Sequence, residues 1–238
     1  MCIECGCGLN PLQRWPKPKK RPDAIAVHES LLAENDATAA ANRERLREHG
    51  VFSVNLMSSP GAGKTALLEV LIPLLAPLRC AVIVGDLQTD NDAQRIRKTG
   101  APTLQITTGQ ACHLDARMVA AALDSLDLTA IDVLFIENVG NLVCPATFDL
   151  GETRRIGLLS VCEGDDKPAK YPTLFHKVDL MLVTKADLLP YLPQFSPARA
   201  QDALRGLAND SPCLTISSLQ PESLAPLVGW VQDRMVAA

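Results

Sequence analysis

The sequence predicts an α/β fold, a mostly parallel sheet with helices on both faces, and three observations carry that expectation. Short apolar runs recur between residues 51 and 217 with little polar alternation, as strands buried on both faces require. Segments of helical composition separate them, so most strands are followed by a crossover. A glycine-rich turn joins the first run to the helix after it.

The elements follow in order. Residues 1–7 hold Cys2, Cys5 and Cys7 ahead of any segment able to bury them. Residues 8–22, GLNPLQRWPKPKKRP, contain four prolines and five cations and read as an extended linker. Fifteen residues in a polyproline-like state reach roughly 45 Å, at about 3.1 Å each. The expected organisation is thus a flexible N-terminal arm over 1–22 and a folded domain over 23–238. The alternative for the arm is a disordered tail with no role. From Asp23 to His49 the chain is rich in Ala, Leu, Glu and Arg and stops at Gly50, which predicts one helix or two with a glycine cap. Strands are expected at Val51–Met57, Cys80–Gly85, Thr103–Thr107, Ile131–Glu137, Ile156–Val161, Val178–Thr184 and Cys213–Ser217. Helices are expected at Lys64–Leu75, Asp92–Thr99, Leu114–Leu126, Pro197–Leu207 and Glu222–Met235. There is no internal repeat.

Composition bounds the function. Hydrophobic residues make up 47% and charged residues 21% of the 238, which is ordinary for a globular protein with one sizeable core. The net charge of -4 gives no whole-chain reason to expect nucleic acid, although residues 14–21 form a local basic run. No stretch reads as a signal peptide or approaches the roughly 20 apolar residues of a membrane span. The expected compartment is cytoplasmic, with no membrane partner, and there structural disulfides are rare. Eight cysteines therefore need another explanation. Cys80, Cys162 and Cys213 border apolar runs and are expected in the core, where free cysteine packs as a small hydrophobe. Cys2, Cys5, Cys7, Cys112 and Cys144 remain.

The run VNLMSSPGAGKTALLEVL carries the strongest signal. It fits the P-loop pattern G-x-x-x-x-G-K-S/T, with Ser58 where the first glycine is usual. Backbone N–H groups of Pro60-Gly61-Ala62-Gly63-Lys64-Thr65-Ala66 would wrap phosphates at a helix N-terminus, the proline lending only its flank. Lys64 would reach the β- and γ-phosphates and the Thr65 hydroxyl would ligate Mg²⁺. A P-loop implies further acids at neighbouring strand ends, and Asp86 and Glu137 stand there. Asp86 also suits a turn or cap. Glu137 closes an apolar strand and needs a cation or hydrogen-bond partner. Gly140 would let the backbone approach the γ-phosphate.

Thr184-Lys185-Ala186-Asp187 follows another apolar run and resembles the guanine-recognition pattern N-K-x-D, with threonine for asparagine. The Asp187 carboxylate would accept from guanine N1–H and its 2-amino group, and the Lys185 stem would cover the ring. Ser217 lies in a second candidate base-side loop.

Cys112 and His113 follow the run TLQITTG, and Cys144 lies seven residues past Glu137. Thiolate and imidazole together suit Zn²⁺, Ni²⁺ or similar ions. On the sheet expected above, the three leave the same edge as the phosphate loop. A two-fold partner is expected to complete the site, because adjacent helical side chains diverge by about 100° and one chain offers few ligands. The other reading of a Cys-His pair is packing. Cys2, Cys5 and Cys7 form a second candidate site, whose C-x-x-C-x-C spacing lets three thiolates converge on one ion; a redox site or an unused tail are the competing readings.

Taken together, SSPGAGKTALL, GDLQTDNDAQRI, GQACHLDA, ENVGNLVCPA, EGDDKPAKYP and TKADLLPYL resemble the HypB family, the GTPases of nickel insertion into hydrogenase, from about Ala33 to the end. The resemblance implies a SIMIBI-like G domain that hydrolyses GTP to GDP and phosphate. It also implies a homodimer working with the HypA nickel chaperone to load a NiFe-hydrogenase large-subunit precursor. By it, Cys2, Cys5 and Cys7 look like the high-affinity nickel site, and Cys112, His113 and Cys144 like a nucleotide-linked site for nickel or zinc. The linker has no histidine, where many family members carry a histidine-rich storage segment, so delivery is expected rather than storage. The rival readings are a small-molecule P-loop kinase, which would prefer ATP, and a metal-buffering adaptor whose nucleotide site only holds shape.

Overall fold

The computed structural model describes residues 24–88, 90–109 and 111–236. Cys2, Cys5, Cys7 and the linker therefore lie outside the described residues. Two compact units are distinguished, 1–34 and 35–238. The first is described only as the opening turns of helix α1 (Ala24–Glu48).

From β1 onward, strand and helix alternate as β1 (Phe52–Ser58), α2 (Lys64–Leu74), β2 (Cys80–Asp86), α3 (Asn91–Arg97), β3 (Thr103–Thr107), α4 (Ala116–Leu123), β4 (Val133–Glu137) and β5 (Arg154–Ser160). Then come α5 (Lys167–Lys170), α6 (Pro172–Phe175), β6 (Leu180–Thr184), α7 (Pro197–Arg205), β7 (Cys213–Thr215) and α8 (Ala225–Val236). Among the described residues the seven strands form one sheet in the order β3-β2-β4-β1-β5-β6-β7, and every pairing is parallel.

Every residue of β1, β4 and β6 is buried, as strands covered on both faces require, and the polar Ser53, Asn55 and Ser58 of β1 are hydrogen-bonded. Their side chains alternate between two cores, following the two-residue period of a strand. Val54, Leu56, Val82 and Phe135 pack with α2, α3 and α8 on one face. On the other, Ile83, Leu134 and Ile136 meet Leu46 of α1 and Val119 of α4, while Met57, Leu159 and Val183 meet Phe175 of α6 and Leu204 of α7. Phe135 is fully buried at the centre; replacing it by alanine is expected to cost about 3–5 kcal/mol.

The structure departs from the sequence reading at element ends. The strand expected from Ile131 begins at Val133, because Leu128–Ala130 forms a 3-10 turn whose Thr129 amide the Asp127 carboxylate accepts. The helix expected from Leu114 begins at Ala116, because Asp115 caps it by accepting the Met118 amide at 2.8 Å. Two short helices unforeseen in the sequence, α5 and α6, each open on a proline in the first turn. Cys80 is buried as expected, Cys213 is half-buried, and Cys162 is exposed. The expected core place for Cys162 is corrected: β5 ends at Ser160, and Cys162 lies in the turn beyond, its amide donating to Ser160 Oγ at 3.2 Å.

Parallel pairing brings the carboxyl ends of all seven strands to one edge. The chain leaves β1 for β2 on one side and enters β5 on the other, so a crevice opens beside β1.

Candidate functional site

At that crevice β1 runs into Ser59–Gly63 and then α2. Gly61 (φ 74°) and Gly63 (φ 99°) occupy the left-handed region, which side-chain-bearing residues enter at a cost, and so the loop curls tightly before the helix. Ser58, the residue in place of the usual first glycine, has a defined task. Its hydroxyl donates to the Ser59 carbonyl at 2.7 Å and accepts from Lys64 Nζ at 3.1 Å. Burial pushes the Lys64 ammonium below its ordinary pKa, against the opposing pull of Glu137, Asp92, Glu163 and Asp86.

The loop lines a cleft of about 390 Å³ with Pro60, Gly61, Gly63, Lys64, Thr65 and Ala66 on one wall and Asp86, Glu137, Asn138 and Gly140 on the others. Thr65 Oγ1 donates to Glu137 Oε1 at 2.8 Å. Burial raises the Glu137 carboxyl to about 7, with Lys64 and Thr65 holding it down in part. Its other oxygen, Oε2, is buried without a hydrogen-bond partner. A hydroxyl beside a carboxylate with one unsatisfied oxygen is a hard-oxygen donor set, and it fits Mg²⁺. The Asp86 carboxylate accepts the Leu87 amide at 2.7 Å. Gly140 lies against the loop itself: a Cβ there would come within 2.8 Å of Pro60 Cα. Its missing side chain thus lets the segment after β4 lie on the phosphate loop.

Asp187 and Ser217, expected beside a base, lie against each other. Lys185 adopts a left-handed backbone (φ 59°), and Ser217, fully buried, donates its hydroxyl to Asp187 Oδ1. The Ala186 amide donates to the Ile216 carbonyl at 3.1 Å, tying the two loops together. Thr184, which departs from asparagine, donates its hydroxyl to the Ala62 carbonyl at 2.7 Å. The end of β6 is therefore fastened directly to the phosphate loop.

Cys112, His113 and Cys144 come together, with one ligand atom from each within 4.8 Å of the others. The expectation that neighbouring side chains diverge does not hold, because Cys112 and His113 lie in a bend before α4 rather than on a helix. Cys112 Sγ sits 3.8 Å from His113 Nδ1. The imidazole stacks on Phe148 with centroids 4.0 Å apart, and burial lowers its pKa against the pull of Asp115. Hydrogen bonding with Cys112, followed by burial, raises the Cys144 thiol. A neutral imidazole and two sulfur atoms within reach of one another suit a soft or borderline ion, which binds thiolates and so displaces their protons.

The two clusters are joined by Asn138. This side chain, 1% exposed, accepts the Leu114 amide at 3.2 Å and the Val139 amide at 2.9 Å. It also donates to Asn55 Oδ1 of β1 at 3.3 Å. One residue past Glu137, it thus holds the residue after His113. The sequence reading assigned no task to Asn138, to Phe148, or to Glu163, whose carboxylate accepts the Ser59 hydroxyl. An amide directly after a strand-ending acid was the signal for the first; the other two depend on distant packing.

Residues 52–212 match the family described as CobW/HypB/UreG, nucleotide-binding domain. Hydrogenase maturation factor HypB of Azotobacter vinelandii is 49% identical over 209 residues, 87% of this chain and 69% of that one. The crystal structure of HypB from Helicobacter pylori in complex with nickel superposes with a TM-score of 0.83 at 42% identity, covering 86% of this chain and 96% of the other. That of the hydrogenase maturation factor HypB from Archaeoglobus fulgidus gives a TM-score of 0.79 at 33% identity, covering 86% and 100%.

Proposed function

Since the chain belongs to the HypB family of hydrogenase maturation factors, we propose that it is a nickel-carrying GTPase whose hydrolysis of GTP to GDP and phosphate switches nickel delivery. The observation that carries this reading is the tie through Asn138 between the Glu137 end of the nucleotide cleft and the Cys112-His113 segment.

Residues 60–66 receive the triphosphate, and Lys64 leaves Ser58 to meet it. Lys185, Asp187 and Ser217 receive guanine: Ser217 holds one carboxylate oxygen of Asp187, which orients the group for the two guanine donors. Thr65 and Glu137 would hold Mg²⁺, which when bound neutralises charge on the β- and γ-phosphates. Asp86 lines another wall of the cleft, where it would hold the metal directly or through water. Water attacks the γ-phosphorus, the bond to the bridging oxygen breaks, and GDP departs with that oxygen. Loss of the γ-phosphate frees the segments after β2 and β4. Because Cys144 belongs to the second of these, metal affinity changes with the nucleotide, and the effect is reciprocal.

Nickel is cargo, held by Cys112, His113 and Cys144, with zinc as the competing ion. A second copy of the chain would complete the coordination. Cys2, Cys5 and Cys7 would form the capture site, and the HypA chaperone and a NiFe-hydrogenase large-subunit precursor are the partners. Among the described residues no helix is long and apolar enough to cross a membrane; a cytoplasmic place for the protein suits its partners.

Nickel titration of the full chain with and without a non-hydrolysable GTP analogue tests this, in wild type, Cys2→Ala and Cys112→Ala. Two independent losses of stoichiometry are expected, and only the loss at Cys112 should depend on nucleotide. A single loss, or tighter binding of ATP than of GTP, would overturn the reading.

A further inference from the structure

Helix α1 carries two buried asparagines whose hydrogen bonds all go to the ends of the two segments that bear Cys112, His113 and Cys144. Asn35 accepts the Ala116 amide at 2.9 Å and donates to the Asp149 carbonyl at 2.8 Å. Asn42 donates to the Ala116 carbonyl at 2.8 Å and to the Leu150 carbonyl at 3.0 Å. Ala116 lies three residues past His113, and Asp149 directly follows Phe148, on which the imidazole stacks. Each asparagine therefore bridges the Cys112-His113 segment to the Cys144–Phe148 segment, and between them they bond both backbone polar groups of Ala116.

Spacing makes this possible. Residues 35, 39, 42 and 43 fall on one stripe of α1. Gly151 packs into the middle of that stripe, where a Cβ would meet the Ala39 carbonyl at 2.5 Å. Arg43 adds two 2.8 Å bonds to the Asp149 carboxylate. A helix meant only to cover a core would place apolar side chains at such buried positions, since a buried amide costs free energy unless each of its groups is bonded. Here both amides are 6% exposed or less and are spent on two loops rather than on the sheet.

We infer that Asn35 and Asn42 are positioning residues of the Cys112-His113-Cys144 metal site, setting the separation of its two ligand-bearing segments from the far side of the ligands. The inference rests on the reading of that cluster as a metal site. Residues that orient ligands from behind typically change metal affinity by about 10–100-fold when lost. The same brace joins the metal site to the helix that follows the N-terminal arm.

The test uses the full-length chain carrying Cys2→Ser, Cys5→Ser and Cys7→Ser, so that only the inner site reports. Nickel and cobalt titrations are followed by the thiolate-to-metal absorption band, beside GTP-analogue affinity and thermal melting, for Asn35→Ala, Asn42→Ala and the shape-matched Asn42→Leu. Asn209→Ala is the control, because that buried amide also donates to backbone carbonyls, those of Phe175 at 2.7 Å, His176 at 3.3 Å and Val178 at 3.0 Å, away from the cluster. At least about tenfold weaker metal binding with an altered band is expected at 35 and 42, at near-normal nucleotide affinity, and neither change at 209. Equal effects at all three positions, or an unaltered band and affinity in a folded Asn42→Leu, would overturn the inference. Failure of the parent chain to bind metal in a Cys112-dependent way would instead remove the site reading.

Discussion

Thr65 Oγ1 donates to Glu137 Oε1 at 2.8 Å, while the second carboxylate oxygen of Glu137 has no partner. Glu137→Gln keeps the hydrogen bond and removes the charge. Phosphate release is expected to fall by about a hundredfold or more in single-turnover assays, with the fold intact by circular dichroism. The carboxyl titrates at about 7 because it is buried. Below that pH a proton occupies it and must be displaced by Mg²⁺. The Mg²⁺ concentration for half-maximal phosphate release should rise as pH falls from 8 to 6; a flat dependence would remove Glu137 from the metal.

Thr184 reaches the Ala62 carbonyl from the end of β6 at 2.7 Å. Thr184→Val retains the shape and deletes the donor. One lost neutral hydrogen bond is worth about 0.5–1.5 kcal/mol, so GTP affinity by calorimetry should fall by roughly 2–12-fold. Thr184→Asn, able to donate again, should recover most of that loss.

Asp187 is oriented by the Ser217 hydroxyl. Asp187→Ala deletes an ionised acceptor for guanine, a loss of about 1.5–3 kcal/mol in GTP affinity with ATP affinity little changed. Ser217→Ala should weaken GTP less, since it frees the carboxylate without removing it. Competition between the two nucleotides measures both effects, and a preference for GTP that survives in Asp187→Ala would place guanine elsewhere.

Asn138 holds the Leu114 amide and donates to Asn55. Asn138→Ala leaves that buried amide unpaired, which costs about 1–3 kcal/mol of stability. Nickel affinity measured with and without the GTP analogue should then become nearly equal, because the contact linking the two segments is gone. A coupling factor as large as in wild type would show that the link runs by another route.

Hydrogen bonding with Cys112 and burial raise the Cys144 thiol, and burial lowers the His113 imidazole. The imidazole is therefore neutral at pH 7, and metal entry must expel the proton of the Cys144 thiol. Nickel binding at the inner site should tighten with rising pH between 6 and 8 and release protons in an unbuffered titration. Cys144→Ser should reduce that release.

Much of this protein is legible in order of residues alone. Strand-sized apolar runs and the turn SSPGAGKT determine a parallel sheet with a phosphate loop, because burial on both faces and left-handed glycines are local demands. The meeting of Asp187 with Ser217 could be guessed from strand ends in the same way. That Cys112, His113 and Cys144 meet at one edge was expected from the strand ends, but the tertiary structure alone decided how one chain turns Cys112 and His113 together, through a bend before α4 rather than a helix. It also decided the bonds of Thr184 to Ala62, of Asn138 to Leu114, and of Asn35 and Asn42 to Ala116. Each joins residues more than 20 positions apart, and no periodicity or spacing encodes such a pair. A buried amide declares its partner only when the chain has folded around it.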